Sequence, residues 1–543
     1  MLLTAPDERT PEGVRHWADE EGAGRDRALA APWFHAVRGR AGVDVSGDAD
    51  VFRGHRIPHG DGTPDGVFAE WKWDGRRLRV RNDRYGVHPL FYYATANEIA
   101  VSTSVARLLA GGAPADFDGD AIAVFLRLGF FVGEDTPFRA IRAVPPEAKF
   151  EWEDGRLSIS GGYWHGKPQG LNRDDAIDAF IALFRRALER RIAPDDNFAV
   201  PLSGGRDSRH ILLELCRLGR RPRCCITIPR YPPRAPEDER VSGLLAAAAG
   251  VPHRILDQPP DRGSVELRKN WETHFCADEH AWFVHMIDYL EAEGLAVYDG
   301  LAGGLSVAGR FLSAGNLRLF EHGRFHELAE GILARFGVQT EAHLSQLVSP
   351  AWREAAGRDR ALERLAAELI RHADAPDPTK SFNFWNHTRR ETALVPYALM
   401  NRLPAVFTPY IDHDVYELLS SLPPSIVSPD LSSPNKSFHS EAIQRAYVEH
   451  ADVPFENSHA PKLDARPHYR QFGSHAARFI ASRTRRPFTL LNNAYVWPRV
   501  AMSLVSPHFA EKRAWLPADL LYMSQLEHAA RSAAESIGKA SDP

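Results

Sequence analysis

Asn197-Phe-Ala-Val-Pro-Leu-Ser203-Gly-Gly-Arg-Asp207-Ser-Arg-His-Ile-Leu-Leu-Glu-Leu215 reads as strand, glycine turn and helix in succession. The apolar run from Phe198 to Leu202 is short enough for a buried strand. From Asp207 onward the apolar residues Ile211, Leu212, Leu215 and Leu218 recur at helical spacing. Between them, Gly204 and Gly205 leave the backbone free of side chains. The helix start offers unpaired N–H groups and the positive end of its dipole. Together these features make a seat for phosphate. Ser203 and Ser208 add hydroxyls. Asp207 would repel a bare phosphate, so it implies a bridging divalent cation such as Mg²⁺. A tight Gly-Gly turn also forms without any ligand, so the rest of the chain has to decide.

Outward from this stretch the pattern repeats. Cys224-Cys-Ile-Thr-Ile228 is a second buried strand. A helix is expected over residues 238–249, a third strand over 251–256 and a fourth from Leu295 to Asp299. Strands alternating with helices at this spacing imply a parallel sheet with right-handed crossovers. Ligands of such sheets sit at the carboxyl ends of the strands. Leu202 and Ile228 lie at two such ends. They are placed either to hold an adenine through backbone groups or simply to fill the core. An amphipathic helix over residues 171–191 leads into the loop, with Ile177, Phe180, Ile181, Phe184 and Leu188 on one face.

With 543 residues the chain is expected to form at least two domains. Its 44% hydrophobic and 25% charged content is that of a globular protein. A net charge of -5 gives no basic footprint for nucleic acid. No apolar run approaches a membrane span, and the first residues lack a signal-peptide pattern, so a cytoplasmic location is expected. The four cysteines, Cys216, Cys224, Cys225 and Cys276, have no zinc-ligand spacing and read as reduced thiols. Cys276, in a polar motif, is the one expected to face a site.

Ahead of the parallel pattern the chain is strand-rich. Residues 1–60 show weak periodicity and yield no fold. Two alternating runs, Val67-Phe-Ala-Glu-Trp-Lys-Trp73 and Arg77-Leu-Arg-Val-Arg81, flank Asp74-Gly75 as a hairpin. A helix is expected over residues 121–128.

Three motifs carry a resemblance. Ser203-Gly-Gly-Arg-Asp-Ser208 resembles the pyrophosphate-binding loop of the adenylating ATP pyrophosphatases. Asp83-Arg-Tyr-Gly-Val-His-Pro-Leu-Phe-Tyr-Tyr93 and Ile141-Arg-Ala-Val-Pro-Pro146, followed by Tyr163-Trp164, resemble the glutaminase domain of asparagine synthetases. The resemblance spans about residues 66–462. It implies an α/β protein with an N-terminal Ntn-hydrolase-like αββα domain over residues 1–168. A doubly wound parallel-sheet ATP-pyrophosphatase (HUP-like) domain would follow over residues 169–543. The implied activity is ATP-dependent amide-bond formation through an acyl-adenylate, with ATP and Mg²⁺ as cofactors and a carboxylate and an amine as substrates.

The departures from that family are informative. Its glutaminase uses an N-terminal cysteine, whereas position 2 is Leu2 and no cysteine precedes Cys216. Glutamine hydrolysis is therefore not expected. In this the chain is similar to the β-lactam synthetases and lasso-peptide cyclases. In Asp299-Gly-Leu-Ala-Gly-Gly-Leu-Ser306, Gly300 matches the first glycine of the family's second loop. Leu301 replaces its Glu, and Gly304 stands where a metal-binding Asp is expected. Asp299, Asp278 or Glu279 would have to compensate.

Further motifs supply the other candidates. Thr273-His-Phe-Cys-Ala-Asp-Glu-His-Ala-Trp282 crowds His274, Cys276, Asp278, Glu279 and His280 ahead of an apolar helix. Asp278 and Glu279 are either first-turn capping residues of that helix or site residues. In the second case Asp278 joins Asp207 on the metal, and Glu279 or His280 takes the amine's proton. Arg389 and Arg390 either bind a substrate carboxylate or phosphate or line a solvated helix face. By the resemblance, Lys462 stabilises the transition state. Residues 306–380 read as helical scaffold, and about the last ten residues as mobile. Two alternatives accompany the ligase reading: a decayed ATP- or substrate-binding relative, and ammonia-dependent amidation.

Overall fold

The computed structural model describes residues 12–540 except 61, 230–235, 259–261, 307–308, 338, 429–436, 457–465, 484–485, 507 and 510–516. A helix, Glu12–Leu29, opens the described chain. Ten strands follow: β1 (Trp33–Arg38), β2 (Val43–Gly47), β3 (Asp50–Pro58), β4 (Pro64–Trp73), β5 (Arg77–Asn82), β6 (Phe91–Ala94), β7 (Glu98–Ser102), β8 (Ile141–Ala143), β9 (Lys149–Glu153) and β10 (Arg156–Ser160). They form two antiparallel sheets, ordered β2-β1-β7-β6-β8 and β10-β9-β5-β4-β3. Strand β5 explains the packing. Leu78 and Val80 point inward while Arg77, Arg79 and Arg81 point out, the period-2 alternation of a one-sided sheet. One cluster, with Phe34, Val51, Trp71, Leu78, Val101, Phe150 and Trp152, joins the two sheets face to face. The hairpin expected at Asp74-Gly75 is β4–β5.

The second half is built on five parallel strands: β11 (Phe198–Pro201), β12 (Cys224–Thr227), β13 (His253–Ile255), β14 (Ala296–Tyr298) and β15 (Val406–Phe407). Their order is β13-β12-β11-β14-β15. The chain leaves β11 in one direction, through β12 to β13, then returns to lay β14 on the other side. The strand order therefore reverses between β11 and β14, and a crevice opens there at the carboxyl ends. Helices Arg173–Glu189, Asp207–Arg217 and Glu237–Ala249 match the expected positions to within a few residues. Residues 306–380 are largely helical, as expected.

Residues 12–60, which gave no readable fold, contain the opening helix and three strands. Toward the C-terminus, where helical stretches were expected, a helix runs over Pro517–Ala540 and buries Leu520, Leu521 and Leu526 in a core shared with residues 91–143.

The halves are locked by buried ions. Arg191 donates to Asp65 at 2.9 Å and to Asp412 at 2.5 Å, all three side chains being at most 1% exposed. Burial raises the Asp65 carboxyl, but Arg191 and His413 outweigh it and hold the group at about 2. No helix among the described residues is long and apolar enough to cross a membrane.

Candidate functional site

The loop at residues 203–208 lies after β11, at the reversal point. Its conformation is held from within. Ser203 N–H donates to Ser208 Oγ at 3.1 Å, and Gly205 N–H donates to Ser203 Oγ at 3.2 Å. Gly204 N–H donates to the Asp238 carboxylate at 2.5 Å. A Cβ on Gly204 would come within 2.9 Å of Glu456 Cβ and 3.0 Å of Val241 Cβ, so only glycine fits. The helix Asp207–Arg217 begins at Arg206 without a side-chain cap, which leaves first-turn N–H groups free of such a partner.

Asp207 is the point where this loop meets the next one. A Cβ on Gly303 would fall 2.2 Å from Asp207 Cγ, and one on Gly300 would fall 2.9 Å from Asp207 Cβ. The loop after β14 therefore closes over the Asp207 carboxylate only because it is made of glycines. The side chain is still 40% exposed, and its Oδ1 lies 3.3 Å from His439 Nδ1. Tyr410 O–H donates to the Asp207 carbonyl at 2.9 Å. Asp299 lies beside it and accepts from Leu301 N–H at 2.8 Å. Burial, with added repulsion from Asp207, pushes the Asp299 carboxyl up to about 6. Leu301 is buried, whereas a Cβ on Gly304 would meet nothing within 4 Å. Leu202 is buried, its N–H bonded to the Ile226 carbonyl and its carbonyl accepting from Thr227 Oγ1. Its backbone is thus already committed within the sheet. Ile228 is buried at the end of β12.

The acidic segment before the helix Phe283–Ala292 forms a second group. The helix begins at Trp282, so neither Asp278 nor Glu279 caps it; the capping alternative is corrected. Asp278 instead rests on the antiparallel half. Its N–H donates to the Gly129 carbonyl at 3.3 Å, and a Cβ on Gly129 would strike its carboxylate. Its electrostatic neighbours are Glu391, Glu279 and Lys269 rather than Asp207. Burial, with repulsion from Glu391 and Glu279, holds the Asp278 carboxyl well above the usual range. Burial and repulsion from Glu279 push Glu391 up to about 8. Two facing carboxyls in such a site share a proton. His280 is held down at about 3, mostly by burial, with His387 and Lys269 adding to it. It is a neutral imidazole and a poor proton acceptor.

Other expected residues end elsewhere. Cys276 does not face a site: it is buried, its thiol donates to the His274 carbonyl at 3.4 Å, and burial raises it to about 11. Arg389 and Arg390 neither line an open pocket nor a solvated face. They lie on a π-helix, Asn383–Thr392, with both guanidinium groups buried. Arg389 donates to the carbonyls of Gly86, Gly133 and Val144 at 3.1–3.3 Å, and Arg390 to that of Asp135. They tie this helix to the antiparallel half. Lys462 lies outside the described residues. Three contributors to the loop were not assigned to it from sequence: Asp238, Tyr410 and His439. Pro409-Tyr-Ile-Asp-His413 and Lys436-Ser-Phe-His439 resemble segments of the same family, but each residue reaches the loop from a separate element, which no local pattern shows.

Comparison with known families matches the glutamine amidotransferase domain over residues 62–164. That stretch contains most of the antiparallel pair of sheets, including the Asp83–Tyr93 run, and ends at Trp164. The class shown for this part is therefore an amidotransferase-type domain. No curated protein matches the chain.

Proposed function

We propose that the chain is an ATP-dependent, AMP-forming ligase that joins a carboxylate to an amine. In this reading residues 1–168 form an αββα Ntn-hydrolase-like domain, and residues 169–543 a doubly wound ATP-pyrophosphatase-like domain. The observation that carries it is the position of Asp207. A half-exposed carboxylate sits at an uncapped helix start, under a side-chain-free loop, at the reversal point of a parallel sheet. The residues present fit a divalent cation: Asp207 and Asp299 are adjacent acids, and the Asp207 side chain is 40% exposed although the glycines of the second loop close against it. Asp207 and Asp299 would hold Mg²⁺, which offsets charge on the pyrophosphate.

The chain's own groups would do the following. Ser203, Gly204, Gly205 and Ser208 seat the pyrophosphate, while Ile228, Leu202 and Gly300 border the nucleotide. The substrate carboxylate attacks the α-phosphate, expelling pyrophosphate and forming an acyl-adenylate. An amine then displaces AMP and loses its proton. Lys462 offsets the negative charge of both transition states. Of the two residues expected to accept the amine's proton, Glu279 is exposed, whereas His280, neutral and buried, is not suited to it. Glutamine is not the nitrogen source in this reading. The stretch 62–164 holds no cysteine, and the thiols of Cys216, Cys224, Cys225 and Cys276 are all raised by burial, the reverse of an activated nucleophile.

ATP–pyrophosphate exchange with a panel of carboxylates, in Mg²⁺, tests this reading. Exchange stimulated by at least one acid is the expected result. Glutamate release from glutamine would overturn the assignment of nitrogen source. A second reading, binding without turnover, is favoured by one observation: the Gly204 N–H is already taken by Asp238. It predicts ATP binding with no exchange on any acid.

A further inference from the structure

The second acidic group contains more than acids. Glu279, His280 and Glu391 each offer a ligand atom, and these atoms all lie within 4.8 Å of one another. Two come from the loop before the helix Phe283–Ala292. The third comes from the π-helix, more than a hundred residues later. We infer that Glu279, His280 and Glu391 form a binding site for a divalent transition-metal ion, separate from the Mg²⁺ site at Asp207.

The imidazole is the decisive observation. His280 is 9% exposed, and neither ring nitrogen has a hydrogen-bond partner. A buried imidazole loses its water bonds on folding and normally recovers them from a neighbour. This one faces two carboxylates instead. Its ring packs edge-on against Trp282 and at a tilt against Phe283, at centroid distances of 5.4 and 5.9 Å. Its backbone has φ of 77°, a conformation that side chains other than glycine adopt at a cost.

Glu391 is 2% exposed, and its Oε1 has no hydrogen-bond donor. Its Oε2 lies 3.1 Å from His387 Nε2. Carboxylates that ligate a metal are themselves held by hydrogen bonds, and His387 is placed to hold this one. Asp278 adds a further acid. The cation nearest to it, Lys269, is already engaged with the Ala277 carbonyl at 2.8 Å and Glu266 at 3.3 Å. Glu279, Glu391, Asp278 and His280 thus crowd together, with Arg310 as the further cation acting on Glu391.

One imidazole and two carboxylates suit Zn²⁺, Mn²⁺ or Fe²⁺ rather than Mg²⁺, which prefers an all-oxygen set. Three protein ligands leave a coordination position for water or substrate, and exposed Glu279 gives access to it. Gln258 Nε2 donates to both the Pro229 carbonyl, just past β12, and the Trp282 carbonyl, at 2.8 and 3.2 Å. The site therefore stands at the carboxyl edge of the same sheet as the phosphate loop.

The test uses the full chain, stripped with EDTA and titrated with Zn²⁺ by calorimetry and with Co²⁺ by visible absorption. One equivalent of Zn²⁺ and a Co²⁺ spectrum with nitrogen ligation are expected. Glu279→Gln, an exposed change that spares the fold, and His280→Gln should each weaken Zn²⁺ binding by more than the ~10–100-fold expected for the outer support, tested by His387→Ala. Asp207→Ala should leave the Zn²⁺ stoichiometry and affinity unchanged, which keeps this result separate from the ligase reading. Absence of stoichiometric Zn²⁺, Co²⁺ or Mn²⁺ binding would overturn the inference. So would binding that survives both Glu279→Gln and His280→Gln.

Discussion

The two acidic groups reach the same edge of one sheet by different routes. Asp207 and Asp299 stand at the ends of neighbouring strands, β11 and β14, and short glycine turns bring them together. Asp278, Glu279, His280 and Glu391 meet only because a π-helix is pinned to the antiparallel half by Arg389 and Arg390. A site at adjacent strand ends is fixed once the sheet forms. A site made from a loop and a distant helix depends on every contact that holds that helix. The first group should therefore tolerate damage to the joint between the halves, and the second should not.

The harshest way to break this comparison is Arg389→Met. It strands three buried carbonyls and leaves Glu134, 3.6 Å away, without this partner. A loss of about 3 kcal/mol or more is expected from the three carbonyls, at ~1–3 kcal/mol for each buried group left without a partner, while Glu134 keeps Arg371 at 3.1 Å. Urea unfolding measures it. Zn²⁺ binding should fall with it, while ATP binding at 5 °C, where the variant remains folded, should persist. Equal loss of both would mean that the two groups are not independent.

Asp207→Ala cuts the other way. A carboxylate at an exposed helix start contributes only ~0.3–1 kcal/mol to stability. Adenylation should nevertheless slow by about 10²-fold or more, the scale of one preorganised electrostatic contact. Melting temperature and pyrophosphate release, measured together, separate these effects. A variant with wild-type pyrophosphate release would remove Asp207 from the chemistry.

Zinc itself should sharpen the contrast. At 100 times its dissociation constant, a ligand bound only by the folded state stabilises it by ~2.7 kcal/mol. The wild-type melting temperature should rise accordingly, and Glu391→Gln should abolish the rise without shifting the response to Mg²⁺–ATP. A Zn²⁺-induced rise retained in that variant would place the ion elsewhere.

The smallest expected effect belongs to Gly304→Asp. The added side chain points into open space, so stability should change by no more than ~0.5 kcal/mol. A third carboxylate near Asp207 should tighten Mg²⁺–ATP by up to about tenfold, or ~1.4 kcal/mol. Unchanged or weaker binding by calorimetry would show that Gly304 does not face the cation.

Some features were hidden from the sequence for identifiable reasons. The helix Glu12–Leu29 was obscured by Gly22 and Gly24, which resemble loop residues. Gly24 is required because a Cβ there would lie 2.8 Å from the Arg268 carbonyl of the helix packed against it. Arg389 and Arg390 carry the same charge whether they face solvent, substrate or buried carbonyls, and periodicity does not distinguish these cases.

The strand, glycine turn and helix at residues 198–217 were legible in the sequence, as were the parallel repeat and the β4–β5 hairpin. Their signals are local: an apolar period, a residue without Cβ, a helix start. Only the tertiary structure decided which acids became neighbours, that Cys276 is sealed in the core, and that His280 faces Glu391. Those outcomes depend on packing between segments far apart in the chain, and no spacing along the chain encodes a distance across it.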